Sequence, residues 1–92
     1  SLDLIAKINI VPEFLNSILN ELDKLSILSQ QEKGNIQYLL IKEYSENNII
    51  FIFEKWESKE AFETHKNTSH FINYKLNTKH MIQSDEIFIK ET

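Results

Sequence analysis

Residues 48–56 read Asn48-Ile49-Ile50-Phe51-Ile52-Phe53-Glu54-Lys55-Trp56, a run dominated by β-branched and aromatic side chains. That composition predicts a strand. Because successive strand side chains point to opposite faces, Ile50, Ile52, Glu54 and Trp56 share one side while Ile49, Phe51, Phe53 and Lys55 share the other. Both faces are apolar, so both need covering. Upstream, Asn35 to Tyr44 has the same character, and the polar cluster Ser45, Glu46 and Asn47 between the two runs predicts the turn of a hairpin.

Working outward, Leu2 to Val11 reads as a first strand in which Leu4, Ala6, Ile8 and Ile10 alternate with Asp3, Lys7 and Asn9. Pro12 ends it. From Glu13, the apolar residues Phe14, Leu15, Ile18, Leu19, Leu22, Leu25 and Leu28 recur at the three-and-four spacing of one helix face, which predicts a helix to about Gln30. Pro12 suits its first turn, Glu13 complements the positive end of its dipole, and Gly34 is expected to take a left-handed conformation just beyond its end. Ser58 is a good N-cap for a helix through Phe62 and His65, and Thr68 or Ser69 can restart it through Phe71, Tyr74 and Leu76. We read these as one broken helix. Glu86 to Lys90 closes the chain as a last strand.

The order βαββαβ is that of an α+β, ferredoxin-like domain, a four-stranded antiparallel sheet with its helices on one face. Two short helices cannot also cover Ile49, Phe51 and Phe53, and soluble monomers rarely expose large contiguous apolar patches. A second copy packed face to face about a two-fold axis is therefore expected, giving a homodimer of the dimeric α/β-barrel kind.

With 92 residues the chain forms one domain, residues 1–92. A net charge of -4 with ten scattered Lys and Arg offers no basic stripe for a nucleic acid backbone. The longest wholly apolar run, Ile49 to Phe53, is far short of a membrane span, and no signal peptide is evident, so a cytoplasmic protein is expected. Ser1 in place of an initiator Met fits a trimmed start. The absence of Cys excludes disulfides, thiolate metal sites and thiol nucleophiles. One Gly and no nucleotide-binding fingerprint disfavour a bound nucleotide, and no cofactor is expected.

Glu54 stands out as a carboxyl on the face of Ile50 and Ile52. Burial would raise its pKa toward neutrality and suit it to accept a proton, whereas a partner would keep it ionised and structural. Trp56 could wall an aromatic pocket with its indole N–H aimed at a substrate oxygen, or simply fill the core. His65 and His70 lie on different faces of a continuous helix but can converge if the chain breaks at Thr68 and Ser69. Either could be a general base. The alternative for His65 is a helix-terminal residue bonded to exposed carbonyls. With no third convergent ligand in view, a metal site is not expected. His80, beside Lys79, reads as a solvated surface residue.

The series Glu32, Lys33, Gly34, then Glu54, Lys55, Trp56, Glu57, Ser58, Lys59, Glu60, Ala61, Phe62, then His65, Ser69, His70 and Phe71 resembles the antibiotic biosynthesis monooxygenase family. The similarity spans essentially the whole chain and is most specific from Glu54 to Phe71. It implies dimeric barrels with a pocket between sheet and helices, and enzymes that oxidise quinols or polycyclic phenols with molecular oxygen and no flavin, metal or haem. Deprotonating an electron-rich phenol gives an anion that can itself reduce oxygen, so the protein need supply only a base, orientation and a dry pocket. The resemblance places His65 and Glu54 as catalytic candidates and Trp56, His70 and Phe71 against a small aromatic or quinone-like substrate. Haem-degrading relatives combine a strand-one Asn, this Trp and a His on the later helix, and the outer two positions are Ala6 and Lys75 here, so haem degradation is not expected. An isomerase of a phosphorylated autoinducer-type hydroxy-diketone, with Lys66 on the phosphate, and a non-catalytic metabolite-binding dimer are the alternatives.

Overall fold

The computed structural model describes residues 1–42 and 47–92. Its elements run β1 (Leu2–Ile10), a 3-10 turn (Pro12–Phe14), α1 (Leu15–Gln30), β2 (Asn35–Ile41), β3 (Ile49–Trp56), α2 (Lys59–Lys66), α3 (Ser69–Thr78), a second 3-10 turn (Lys79–Met81) and β4 (Ile82–Glu91). The four strands form one sheet in the order β2-β3-β1-β4, and every neighbouring pair is antiparallel. This is the ferredoxin-like arrangement expected from the order of elements.

β3 alternates as predicted, with Ile50, Ile52, Glu54 and Trp56 buried and Ile49, Phe51, Phe53 and Lys55 only half-buried. The buried set joins Leu2, Leu4, Ala6, Ile8 and Ile10 of β1 beneath the helices. α1 contributes Ile18, Leu22, Leu25 and Ser29 to that core. Leu28, expected on this face, is exposed, because the 3.6-residue period carries position 29 rather than 28 back to the sheet. The broken helix is two helices, each started by its own cap. The Ser58 side chain accepts the Ala61 N–H, and the Thr68 side chain accepts the Phe71 N–H.

Two expectations on local structure change. Gly34 does not adopt a positive φ; Asn48, before β3, does, with φ of 60°. Gly34 is required for a different reason, since a Cβ there would overlap the Cβ of Ala61 in α2. β4 begins at Ile82 rather than Glu86, since its polar start pairs with Asn9 and Ile8 along a sheet edge that tolerates solvated side chains. Tyr44, Ser45 and Glu46 of the expected hairpin lie outside the described residues.

On the face turned away from the helices, Leu39 pairs with Phe53, Phe53 with Ile5, and Ile5 with Phe88, an apolar row crossing all four strands. Leu39, Ile5 and Phe88 are exposed. Among the described residues, no helix is long and apolar enough to cross a membrane.

The close approach of Gly34 to α2 makes a direct prediction. Gly34→Ala should lower unfolding stability by about 1–3 kcal/mol, as overpacking does, which urea denaturation will measure. A variant as stable as the parent would mean that α2 yields without cost.

Candidate functional site

Glu54 occupies an inward position of β3, opposite Leu4 of β1 and Tyr38 of β2. It is 5% exposed. Two residues on, and on the same face, Trp56 donates its indole N–H to Glu54 Oε1 at 3.0 Å. Burial pushes the Glu54 carboxyl up to about 7, a rise that the Trp56 N–H tempers and the charge of Glu32 augments. Its carboxyl thus titrates near neutrality rather than in the ordinary carboxylate range.

Glu54 faces a cavity of about 70 Å³ between the sheet and the helices, walled by Tyr38, Phe62, Phe71 and Tyr74. Exposed Lys75, Asp85 and Ile87 form its mouth. Lys75 Nζ lies 3.5 Å from Asp85 Oδ2 there, tying α3 to β4. Tyr74 is 7% exposed; its hydroxyl makes no close hydrogen bond among the described residues, and the Thr78 side chain lies near enough to interact with it weakly. Burial raises the pKa of Tyr74, and burial together with the Glu54 charge raises that of Tyr38, so both phenols stay protonated at neutral pH. A protonated hydroxyl without a close acceptor can donate to an oxygen in the cavity.

Behind this wall, the break between α2 and α3 brings His65 and His70 together, as the caps at positions 68 and 69 allowed. They converge on Glu32, from the loop after α1. Its Oε2 lies 2.5 Å from His65 Nδ1 and 2.8 Å from His70 Nε2. The Thr68 hydroxyl donates to the His65 carbonyl at 2.7 Å while capping α3, and so fixes the angle between the two helices. His65 is 1% exposed, its ring 4.5 Å from Trp56 and 5.0 Å from Phe71 between centroids. Its proton affinity is lowered by burial, with the Glu32 contact opposing the effect.

The structure therefore separates residues that the sequence grouped. Glu54 and Phe71 line the cavity, whereas His65, His70 and Trp56 do not. Trp56 is fully buried and donates its N–H to Glu54. His65 bonds Glu32 through its ring, and is not simply a helix-end residue bonded to carbonyls. The expectation that no third ligand joins the two histidines does not hold, because Glu32 does so. Glu32 stood in the family pattern, but no local signal linked a loop residue to side chains more than thirty positions away. Tyr74 and Tyr38 were likewise missed as cavity residues, since their spacing says only that they face the core. His80 is exposed and packs edge-on against Phe14 at 5.0 Å.

A family model described as antibiotic biosynthesis monooxygenase matches residues 3–75. The chain is 32% identical over 79 residues to the putative monooxygenase YcnE of Bacillus subtilis (strain 168), covering 86% of this chain and 83% of that protein. Among solved structures, PA3566 from Pseudomonas aeruginosa superposes with a TM-score of 0.91 at 28% identity, covering 99% of this chain and 92% of that one. A putative antibiotic biosynthesis monooxygenase from Nitrosomonas europaea gives a TM-score of 0.94 at 12% identity over 100% and 98% of the two chains, a likeness of fold.

The Glu54 environment predicts a pH dependence of stability. Its folded pKa of about 7 lies above the ordinary 4.5, so the folded state favours the protonated form. The contribution is complete below about pH 4.5, declines as pH rises, and is gone above about pH 7. Glu54→Gln, which cannot ionise, should match the parent at pH 4 and exceed it at pH 8 by on the order of 3 kcal/mol. Denaturant titrations at the two pH values will show this. An equal difference at both would mean that Glu54 does not titrate in that window.

Proposed function

The chain belongs to the antibiotic biosynthesis monooxygenase family, and from that premise we propose that it is a cofactor-independent monooxygenase oxidising a quinol or polycyclic phenol with molecular oxygen. The observation that carries this reading is a buried carboxyl with a pKa of about 7 facing an aromatic-walled cavity. Between His65 and Glu54, the geometry favours Glu54 as the base, because only Glu54 reaches the cavity. Its carboxylate takes the proton of the substrate hydroxyl. The resulting anion transfers an electron to oxygen, the radical pair combines at a ring C–H carbon to give a peroxide anion, Glu54 returns its proton to form the hydroperoxide, and loss of water with that carbon's hydrogen leaves a carbonyl. Tyr74 donates a hydrogen bond to the substrate oxygen, and Phe71 and Phe62 pack against the ring. Trp56 and, behind it, His65 act as positioning residues.

A cavity of about 70 Å³ is roughly half of the ~150 Å³ that admits benzene. Entry of even one ring therefore requires the mouth to open at Lys75 and Asp85, with the remainder of a fused-ring substrate emerging there.

The outer row of Leu39, Phe53, Ile5 and Phe88 supports a homodimer in which a second copy covers this face. Ile5→Asp, placing a charge at the centre of the row, should give a monomer by sedimentation equilibrium at micromolar concentration. A monomeric parent protein would refute the dimer.

The activity is tested by oxygen uptake of metal-free protein with a panel of quinols and polycyclic phenols, corrected for autoxidation. Uptake should depend on protein, rise with pH to a plateau above about 7 as Glu54 ionises, and fall about 10²–10⁴-fold in Glu54→Gln. A Gln variant as active as the parent would remove Glu54 from the chemistry. No uptake across the panel, with turnover of a hydroxy-diketone under anaerobic conditions, would establish the isomerase instead.

A further inference from the structure

Glu32, His65 and His70 come from three separate elements, the loop after α1, the end of α2 and the first turn of α3. One carboxylate oxygen and two imidazole nitrogens lie within 4.8 Å of one another. Both rings aim at the same oxygen, so two borderline nitrogen donors and one hard oxygen donor surround a single point. We propose that this triad is a binding site for a first-row divalent cation of the zinc class, held by Glu32 Oε2, His65 Nδ1 and His70 Nε2, with its remaining position open to solvent.

The geometry suits such an ion. Zinc bonds to imidazole and carboxylate are about 2.0–2.2 Å, which sets tetrahedral ligand atoms about 3.3 Å apart. From the present 2.5 and 2.8 Å, the two oxygen–nitrogen separations must open by less than about 1 Å, while the two ring nitrogens, now within 4.8 Å of each other, must close toward the same spacing. His65 is held in place by Trp56 and Phe71, so its nitrogen is already oriented. Adjustment falls to Glu32 and His70, whose side chains are 12% and 18% exposed and give the ion a route in from the surface. Two imidazoles favour zinc-like ions over magnesium or calcium, which select oxygen ligands. A bound ion would clamp the α2–α3 break to the end of α1.

This site lies outside the cavity, although Glu32 acts on Glu54 through its charge and His65 packs against Trp56. None of the three residues lines the cavity, and Tyr38, Phe62 and Phe71 contact His65 from the cavity side. Ion binding is read without substrate or oxygen, so the inference and the proposed activity can fail independently.

The test is titration of chelator-treated protein with zinc chloride, read by calorimetry, by thermal melting and by the ring nitrogen resonances of the histidines. One ion per chain should bind, shifting the His65 and His70 rings and leaving His80 unmoved. At a hundredfold excess over Kd, Tm should rise by on the order of 10 °C. Glu32→Gln and His70→Ala should each weaken binding about a hundredfold or more, with far-UV circular dichroism unchanged, and His80→Ala should have no effect. Should His70→Ala fail to fold, the near-isosteric Glu32→Gln and the ring resonances of the parent protein decide. No saturable binding up to about 1 mM zinc, or binding that survives Glu32→Gln or follows His80, would overturn the site.

Discussion

A carboxyl on the inward face of a central strand sits where water cannot solvate its charge, and the site is organised around Glu54 in that position. The single hydrogen bond from Trp56 keeps ionisation within reach of neutral pH without restoring an ordinary carboxylate. Above about pH 7 the raised pKa of Glu54 lowers folding stability by on the order of 3 kcal/mol relative to an ordinary carboxyl, tolerable in a domain whose total stability is about 5–15 kcal/mol. Trp56 in turn is packed by His65 and Phe62, so the indole cannot turn from its acceptor without disturbing both.

Two features far from Glu54 in sequence set the walls around it. The absence of a side chain at Gly34 lets α2 come down onto the loop after α1, with the Gly34 carbonyl accepting the Glu57 N–H at 2.9 Å. The Thr68 cap then turns the chain so that α3 lays Phe71 and Tyr74 over the sheet while His70 swings back to Glu32. An unbroken helix would have carried His65 and His70 to different faces.

Most of the fold was legible because its signals are local. Alternation in β1 and β3, the apolar stripe of α1 and the caps at Ser58 and Thr68 each depend on residues a few positions apart, and each appears where its pattern placed it, Leu28 of the stripe excepted. Gly34 was located but misread, since a sequence shows that a glycine is present and not which neighbour excludes a side chain. The site was legible only in part. Glu54 could be singled out because a carboxyl breaks an apolar alternation, but its link to Trp56 depends on rotamers and the convergence of Glu32 with two histidines depends on tertiary packing. The same limit applies to Tyr74, whose place in the cavity wall is visible only once the cavity exists.

Whether Glu54 is poised at neutrality is tested most directly by following its side-chain carboxyl resonance with pH in ¹³C-labelled protein, assigned by comparison with Glu54→Gln. A midpoint near 7 is the predicted result. A midpoint in the ordinary carboxylate range, about 4.3, would contradict it and leave the cavity without a base suited to neutral pH.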